Sequence, residues 1–318
     1  MTRGSESPPA VERPPLVTVG IPAYDRPGEL ERAVTSALAQ DYPRIEVLVS
    51  DDASPGVSVR QVLERLAAAD ARLRFVTQPR NLGHAANYQW VLEAARGDYF
   101  MWLSDDDWID GEYVSRCVAA LSADPATALV CGLARYYRGA AHVIDERPTN
   151  LASARAGVRL MQYFASVSVN GPLFGVFRRA ELLEAGFPPG VGGDWMLIAG
   201  VAARGRVRTL SEVHIHRSLT GLGADGSRLA QSFGMRGAAA RHHHAVMAAR
   251  LWAEITLGAG AYGRMNPTAR LVVATISAAL ILARFTLLPL TRVLLGPATA
   301  ASFETRISAW LRARQGGG

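Results

Sequence analysis

Three consecutive acids, Asp105, Asp106 and Asp107, close the apolar run Tyr99-Phe100-Met101-Trp102-Leu103. Adjacent carboxylates repel one another unless they face water or share a cation. A hard divalent ion held by oxygen ligands is the usual partner, and a solvated acidic turn is the plain alternative. A calcium loop does not fit. With Gly111 as that loop's glycine, Asp106 and Asp110 stand first and fifth, but Trp108 stands third and Cys117 last. A second acidic pair, Asp51-Asp52, follows the apolar run Ile45 to Val49. Farther on, Gly192-Gly193-Asp194 opens a helical pattern at a place where Asp suits an N-cap. The run Val213-His214-Ile215-His216-Arg217, if extended, puts both histidines on one face, either as ligands or as a packed or solvated pair.

The surrounding pattern supplies the elements that position these groups. Leu16 to Ile21 reads as a β-branched strand closed by Pro22, and Pro27 opens a helix in which Leu30, Ala33, Val34, Ala37 and Leu38 recur at helical spacing. Ile45 to Val49 is a second strand. Ser54-Pro55-Gly56 turns the chain into a helix carrying Val62, Leu63 and Leu66. Leu73 to Val76 is the third strand, followed by a helix ending near Gly97, and the acidic run then closes a fourth. Strands alternating with helices predict an α/β fold with a mostly parallel central sheet flanked by helices. Ligands of such sheets gather beyond the carboxyl ends of the strands, where two of these four strands carry acids. After Trp108 the pattern predicts a helix, a strand over Ala128 to Ala134, and a weakly patterned stretch to about residue 165.

Several nucleotide chemistries are excluded. Ile21-Pro22-Ala23-Tyr24-Asp25-Arg26 is no G-x-G-x-x-G, the chain has no Walker A sequence, and it lacks the Gly-rich basic loop of a sugar nucleotidyltransferase. The order Ile21-Pro22-Ala23-Tyr24, Asp51-Asp52-Ala53-Ser54, Asn81-Leu82-Gly83 with Asn87, then Gly97-Asp98-Tyr99 leading to Asp105-Asp106-Asp107 resembles the family 2 glycosyltransferases of the GT-A fold, over residues 16 to 220. Each piece alone is weak; the order is specific.

The resemblance implies a nucleoside diphosphate sugar as donor and Mn²⁺ or Mg²⁺ as cofactor. Pro22, Tyr24, Asp25, Asp52, Arg80, Asn81, Gly83, Asp105 and Arg217 would hold the donor, with Asp52, Tyr24 and Asp25 at the base, Asp105 near the ribose and Arg217 on the diphosphate. Asp106 would be the metal ligand; Asp107 either ligates or holds the loop, and His216 would complete the shell. Asp194 matches the acid that serves as general base in an inverting transfer. Val167 to Phe177, with Asn170-Gly171-Pro172, is expected to form the floor of the acceptor side. The sequence departs from the family pattern at Asp25, often Asn; at Ser104, often Asp; and at Gly193, often Glu.

The 318 residues, 49% of them hydrophobic, suffice for a large core. Every basic residue is arginine, and the net charge of +6 is uneven: residues 230 to 318 carry ten Arg against Glu254 and Glu304. Cys117 and Cys131 lie in no metal-binding spacing, and residues 1 to 15 are a Pro-rich, disordered lead-in without a signal-peptide core, so reduced thiols and a cytoplasmic active site are expected. Residues 16 to 229 form the expected transferase domain and 230 to 318 a helical, basic region.

Within that region Leu271 to Ala283 is continuously apolar. At 100° per residue Arg270, Ser277, Arg284 and Arg292 fall within about 80°, a basic stripe on a helix kinked near Pro289. The stripe predicts an in-plane helix with its arginines toward anionic headgroups. A segment 271 to 291 that spans or enters the bilayer, and ordinary packing, are the alternatives. His242-His243-His244 reads as a surface run. The region is too apolar and too poor in interleaved aromatics for nucleic acid. The expected activity is therefore metal-dependent, inverting sugar transfer to a glycan or lipid-linked acceptor at the inner face of the cytoplasmic membrane. The rival is a non-catalytic membrane-associated module that binds a nucleotide sugar.

Overall fold

The computed structural model describes residues 13–167, 170–219, 234–258 and 260–287. The chain divides into two compact units, residues 1–116 and 117–318.

In the first unit, β1 (Val17–Ala23), β2 (Ile45–Asp51), β3 (Leu73–Thr77) and β4 (Tyr99–Trp102) pair in parallel in the order β3-β2-β1-β4. Helices α1 (Pro27–Leu38), α2 (Ser58–Ala69) and α3 (His84–Ala94) follow the first three strands. The apolar stripe read from the sequence is the buried face of α1: Leu30, Ala33, Val34 and Ala37. α3 packs on β1 and β2, and β5 (Trp108–Ile109), a short strand where a helix was expected, packs on α1. Helix α4 (Tyr113–Ala123) begins only after it, and the division between the units falls within α4.

Pro22 does not close its strand. It lies within β1, in register with Ser50 of β2. Even-numbered residues of β1 turn their backbone toward β4, as the Leu103 N–H to Gly20 carbonyl bond shows, and β4 pairs with β1 only as far as Gly20. The missing N–H of Pro22 therefore costs no ladder bond. Gly97 is obligatory: a Cβ there would run into the Tyr99 carbonyl and the Thr18 amide.

In the second unit, the long strand β6 (Thr127–Arg138) pairs antiparallel with β7 (Ala141–Asp145) and β8 (Val176–Arg178), and parallel with β9 (Arg206–Ser218). The weakly patterned stretch thus contains β7 and α5 (Ala156–Ser166). A 3-10 turn (Gly171–Phe174), α6 (Arg179–Ala185), α7 (Gly193–Arg204), α8 (Gly237–Arg241), α9 (His243–Leu257) and α10 (Pro267–Leu282) complete the unit. A π-helical turn, Ala283–Leu287, continues α10. From Trp195 to Ala203 every residue of α7 is buried, which accounts for its continuous apolar run. Cys117 and Cys131 are free and buried.

α10 packs on α5 and α9, and the packing reverses the expected orientation of its basic stripe. Ser277 is fully buried, Arg270 donates to the Gly258 carbonyl at 2.6 Å, and Arg284 donates to the carbonyls of Phe164 and Val167 at the end of α5, at 3.1 and 2.9 Å. Two arginines expected to face headgroups instead satisfy carbonyls within their own unit. Leu271, Val272 and Ile276 form the exposed face. Pro289 and Arg292 lie outside the described residues, as do residues 1–12 of the lead-in. The histidine run is not uniformly at the surface: His242 is exposed, whereas the His244 ring stacks on Phe285 at 4.5 Å and lies 6.4 Å from Trp195.

Candidate functional site

In the first unit the acids lie just beyond the carboxyl ends of β2 and β4. Asp51 accepts the Ser54 N–H at 3.1 Å and the Ser54 hydroxyl at 2.5 Å. Asp52 takes the Leu82 N–H on one oxygen, at 2.6 Å, and the Gly83 N–H on the other, at 3.0 Å. One carboxylate thereby sets the Asn81–Gly83 loop, whose glycine has φ +86°. Two non-glycine residues here, Asp25 and Ala53, hold φ near +55°, a costly conformation that gathers at functional sites. The Asp25 N–H is met by the Ser54 hydroxyl at 2.8 Å, while the Tyr24 and Arg80 side chains are exposed.

Asp105 accepts the Tyr24 N–H at 3.0 Å. Nη1 of Arg26 reaches Oδ1 of Asp105 at 3.2 Å and Oδ2 of Asp106 at 2.9 Å. Burial pushes the Asp105 carboxyl up to about 6, with Asp106 and Asp107 acting in the same direction, against the Tyr24 amide and Arg26. Arg32 donates to the Asp106 carbonyl at 2.8 Å and lies over the Trp108 ring at 4.0 Å. Asp107 is almost wholly buried, and its amide donates to the Ser104 carbonyl at 3.2 Å. Ser104 shares a hydrogen bond of 3.0 Å with the hydroxyl of Tyr88 on α3.

Among the described residues no three His, Cys, Asp or Glu side chains gather as a metal-binding group. The pair Asp105 and Asp106 nevertheless suits Mg²⁺ or Mn²⁺ chemically, since such ions are commonly held by one or two carboxylates together with substrate phosphates. Its pairing with a guanidinium marks the place as one that takes positive charge.

In the second unit Asp194 is not an N-cap. Gly192 holds that position with φ +77°, and Asp194 is the second residue of α7. Its Oδ2 accepts from Nδ2 of Asn170 at 3.0 Å. Burial raises the Asp194 carboxyl, while Asn170, the amides of Trp195 and Asp194, and Arg217 favour the ionised form. Gly193, where Glu was the expected family residue, is dictated by the backbone: a Cβ would collide with the Pro188 carbonyl.

Arg217 lies over the Phe174 ring at 4.0 Å and donates to the Tyr136 hydroxyl at 3.3 Å; that hydroxyl donates to Glu146 at 3.4 Å. Glu146 also accepts the Gly171 N–H at 2.9 Å. Burial raises its carboxyl, opposed by the Gly171 amide, Arg217 and Tyr136. His216 bonds through Nδ1 with the Tyr137 hydroxyl at 3.0 Å, and its ring lies 6.2 Å from that of His214, on the shared strand face expected from β alternation.

Asp106 and Asp107 thus stand in the first unit and His216 in the second. Sequence reasoning did not assign Arg26, Arg32, Glu146, Tyr136 or Tyr163 a role in the site, and it placed Asn170 only in the floor of the acceptor side, not beside Asp194. Arg26 sits one residue from Asp25, and that adjacency was the only available signal.

A model described as "Glycosyl transferase family 2" matches residues 18–180, just over half of the chain. The chain belongs to this family. Among the relatives of this family 2 chain is the succinoglycan biosynthesis protein ExoO of Rhizobium meliloti, 32% identical over 127 residues, which are 40% of this chain and 36% of that protein. Chondroitin synthase of Escherichia coli is 33% identical over 121 residues, 38% of this chain and 17% of that protein. The match spans well under half the length of these curated relatives. Among solved structures, S. aureus TarS 1-349 superposes with a TM-score of 0.59 at 14% identity, over 85% of this chain and 72% of that one. The same protein in complex with UDP-GlcNAc gives 0.53 at 15% identity, over 77% and 74%. These likenesses show the GT-A fold.

Proposed function

We propose that the chain transfers a sugar from a nucleoside diphosphate donor to an acceptor hydroxyl, with inversion at the anomeric carbon. The observation that carries this reading is the set of carboxylates beyond the carboxyl ends of β2 and β4, in a member of family 2. The Asn81–Gly83 loop set by Asp52, together with Pro22, Tyr24, Asp25 and Arg80, receives the nucleoside, and Asp105 lies near the ribose. Asp106 would hold a divalent cation, which would supply positive charge against the departing diphosphate. Buried Asp107 fits a loop-holding role better than ligation. Arg217, whose fork of donors matches phosphate oxygens, would serve the diphosphate, and His216 would be the further metal ligand.

Asp194 takes the acceptor hydroxyl's proton as that oxygen attacks the anomeric carbon and the bond to the diphosphate breaks. A base for this step must be ionised yet shielded enough to be basic. Asp194 at the start of α7 is half-buried, which raises its basicity, while the Asn170 amide, two backbone amides and Arg217 favour its charged form.

The acceptor is a glycan or a lipid-linked glycan, and the site of work the inner face of the cytoplasmic membrane. Support comes from Pro267–Phe285, long and apolar enough to cross a membrane by length and composition, with Leu271, Val272 and Ile276 exposed on it. Attraction to anionic lipid then rests on Arg292, Arg306, Arg312 and Arg314, which lie outside the described residues.

The test is thermal stability with UDP, GDP, dTDP and CDP and their sugars, with and without Mn²⁺, beside Asp106→Ala, followed by nucleoside diphosphate release by Asp194→Asn. Saturation a hundredfold above the dissociation constant adds about 2.7 kcal/mol. Metal-dependent stabilisation lost in Asp106→Ala, with turnover lost in Asp194→Asn, supports the enzyme. Donor binding without turnover in the wild type would leave the non-catalytic module.

A further inference from the structure

Asn170 is 2% exposed and holds a left-handed backbone, φ 57° and ψ 44°. A non-glycine residue there is strained by roughly 1–3 kcal/mol, so its neighbourhood must impose it. Both ends of the side-chain amide are engaged. Nδ2 donates to Oδ2 of Asp194 at 3.0 Å, and Oδ1 accepts the hydroxyl of Tyr163 at 2.8 Å. The direction of each bond follows from chemistry. A carboxylate only accepts, so the amide must turn its NH₂ to Asp194, which leaves its oxygen for the tyrosine proton. Tyr163 is fully buried on α5, and its ring meets Phe164 edge-on at 5.0 Å, so the far end of this hydrogen-bond relay is packed in the core.

We propose that Asn170, locked by Tyr163, is a positioning residue that fixes the rotamer of Asp194. The inference rests on Asp194 being the base. The bond to Oδ2 fixes how the carboxylate is turned, and with it the direction from which the acceptor's proton can arrive. Among the described residues, Arg217 of β9 also favours the carboxylate and Tyr163 interacts with it, while Glu146 interacts with both Arg217 and Tyr163. Among these, Asn170 makes the direct side-chain bond.

The test uses Asn170→Gly, which keeps the left-handed backbone while removing the amide, and Tyr163→Phe, which keeps the ring while releasing the amide. With ¹³Cγ-labelled aspartate, the Asp194 signal is recognised by its loss in Asp194→Asn. Its titration midpoint should rise in Asn170→Gly and rise less in Tyr163→Phe, because a bond to the charged form is lost. Nucleoside diphosphate release should fall about 10- to 100-fold in kcat, its acid limb moving upward in pH, while the donor's dissociation constant is unchanged. If Asp194→Asn keeps full turnover, the base itself is misassigned. If Asp194→Asn is inactive while either folded variant titrates and turns over like the wild type, the positioning role is overturned. Should Asn170→Gly not fold, Tyr163→Phe alone decides.

Discussion

One nitrogen of Arg26 stands 2.9 Å from Oδ2 of Asp106 and 3.2 Å from Oδ1 of Asp105, so a single guanidinium serves two carboxylates that would otherwise repel each other. A divalent cation held by the same oxygens would compete for that place. Arg26→Ala should therefore make the protein lean on metal. Its own cost should be about 1 kcal/mol or less, since the arginine is 41% exposed. Differential scanning calorimetry should show a larger Mn²⁺-induced rise in Tm for the variant than for the wild type. Equal rises would mean that guanidinium and metal do not share the carboxylates.

Arg284 should prove structural. It meets two carbonyls at the end of α5, and burial lowers the pKa of its guanidinium. Arg284→Ala strands those carbonyls, at a cost of about 2 kcal/mol in urea unfolding. Binding to vesicles containing phosphatidylglycerol should not change. A loss of vesicle binding without a loss of stability would return this arginine to the lipid surface.

Ile276→Asp tests the opposite face of α10. The side chain is exposed, so stability should stay within about 0.5 kcal/mol while sedimentation with the same vesicles falls sharply. Unchanged sedimentation would remove α10 from the membrane contact.

His244 gives a pH dependence. Burial holds it down to about 4, with neighbouring His243 adding to the effect. The unfolded chain titrates near 6.5, so the neutral ring's contribution is present above that pH. It is lost as the pH falls through 6.5 toward 4, because the unfolded state takes up the proton first. His244→Phe, which keeps the contacts with Trp195 and Phe285, should flatten the stability profile between pH 6.5 and 4. A profile as steep as the wild type's would place the titrating group elsewhere.

Gly193→Glu tests the departure from the family pattern. Restoring the family's acid should not help here, because any Cβ meets the Pro188 carbonyl. The expected result is a loss of about 2 kcal/mol or more, seen as a lower urea midpoint. A neutral substitution would mean that the turn before α7 yields.

The order of elements was legible because the signals for it are local. The spacing of Leu30, Ala33, Val34 and Ala37 foretold both α1 and its buried face. The runs ending at Asp51 and at Asp105 foretold β2 and β4. β5 was missed because two residues carry no periodicity, and Pro22 was misread because the length of the neighbouring strand decides whether its missing N–H matters. The family could be read from four short motifs whose order, rather than any one of them, is specific.

Sequence by itself determined which groups stand at the ends of the strands and that the C-terminal region is apolar and basic. Tertiary structure decided what each of those groups faces. Arg26 meets Asp105 across 79 residues, Asn170 meets Asp194 across 24, and Arg284 reaches Phe164 across 120. Helical periodicity places Arg270, Ser277 and Arg284 on one stripe but is blind to which way the stripe turns. The buried carbonyls of α5 needed donors and the exposed leucine and isoleucine did not, so the arginines went inward.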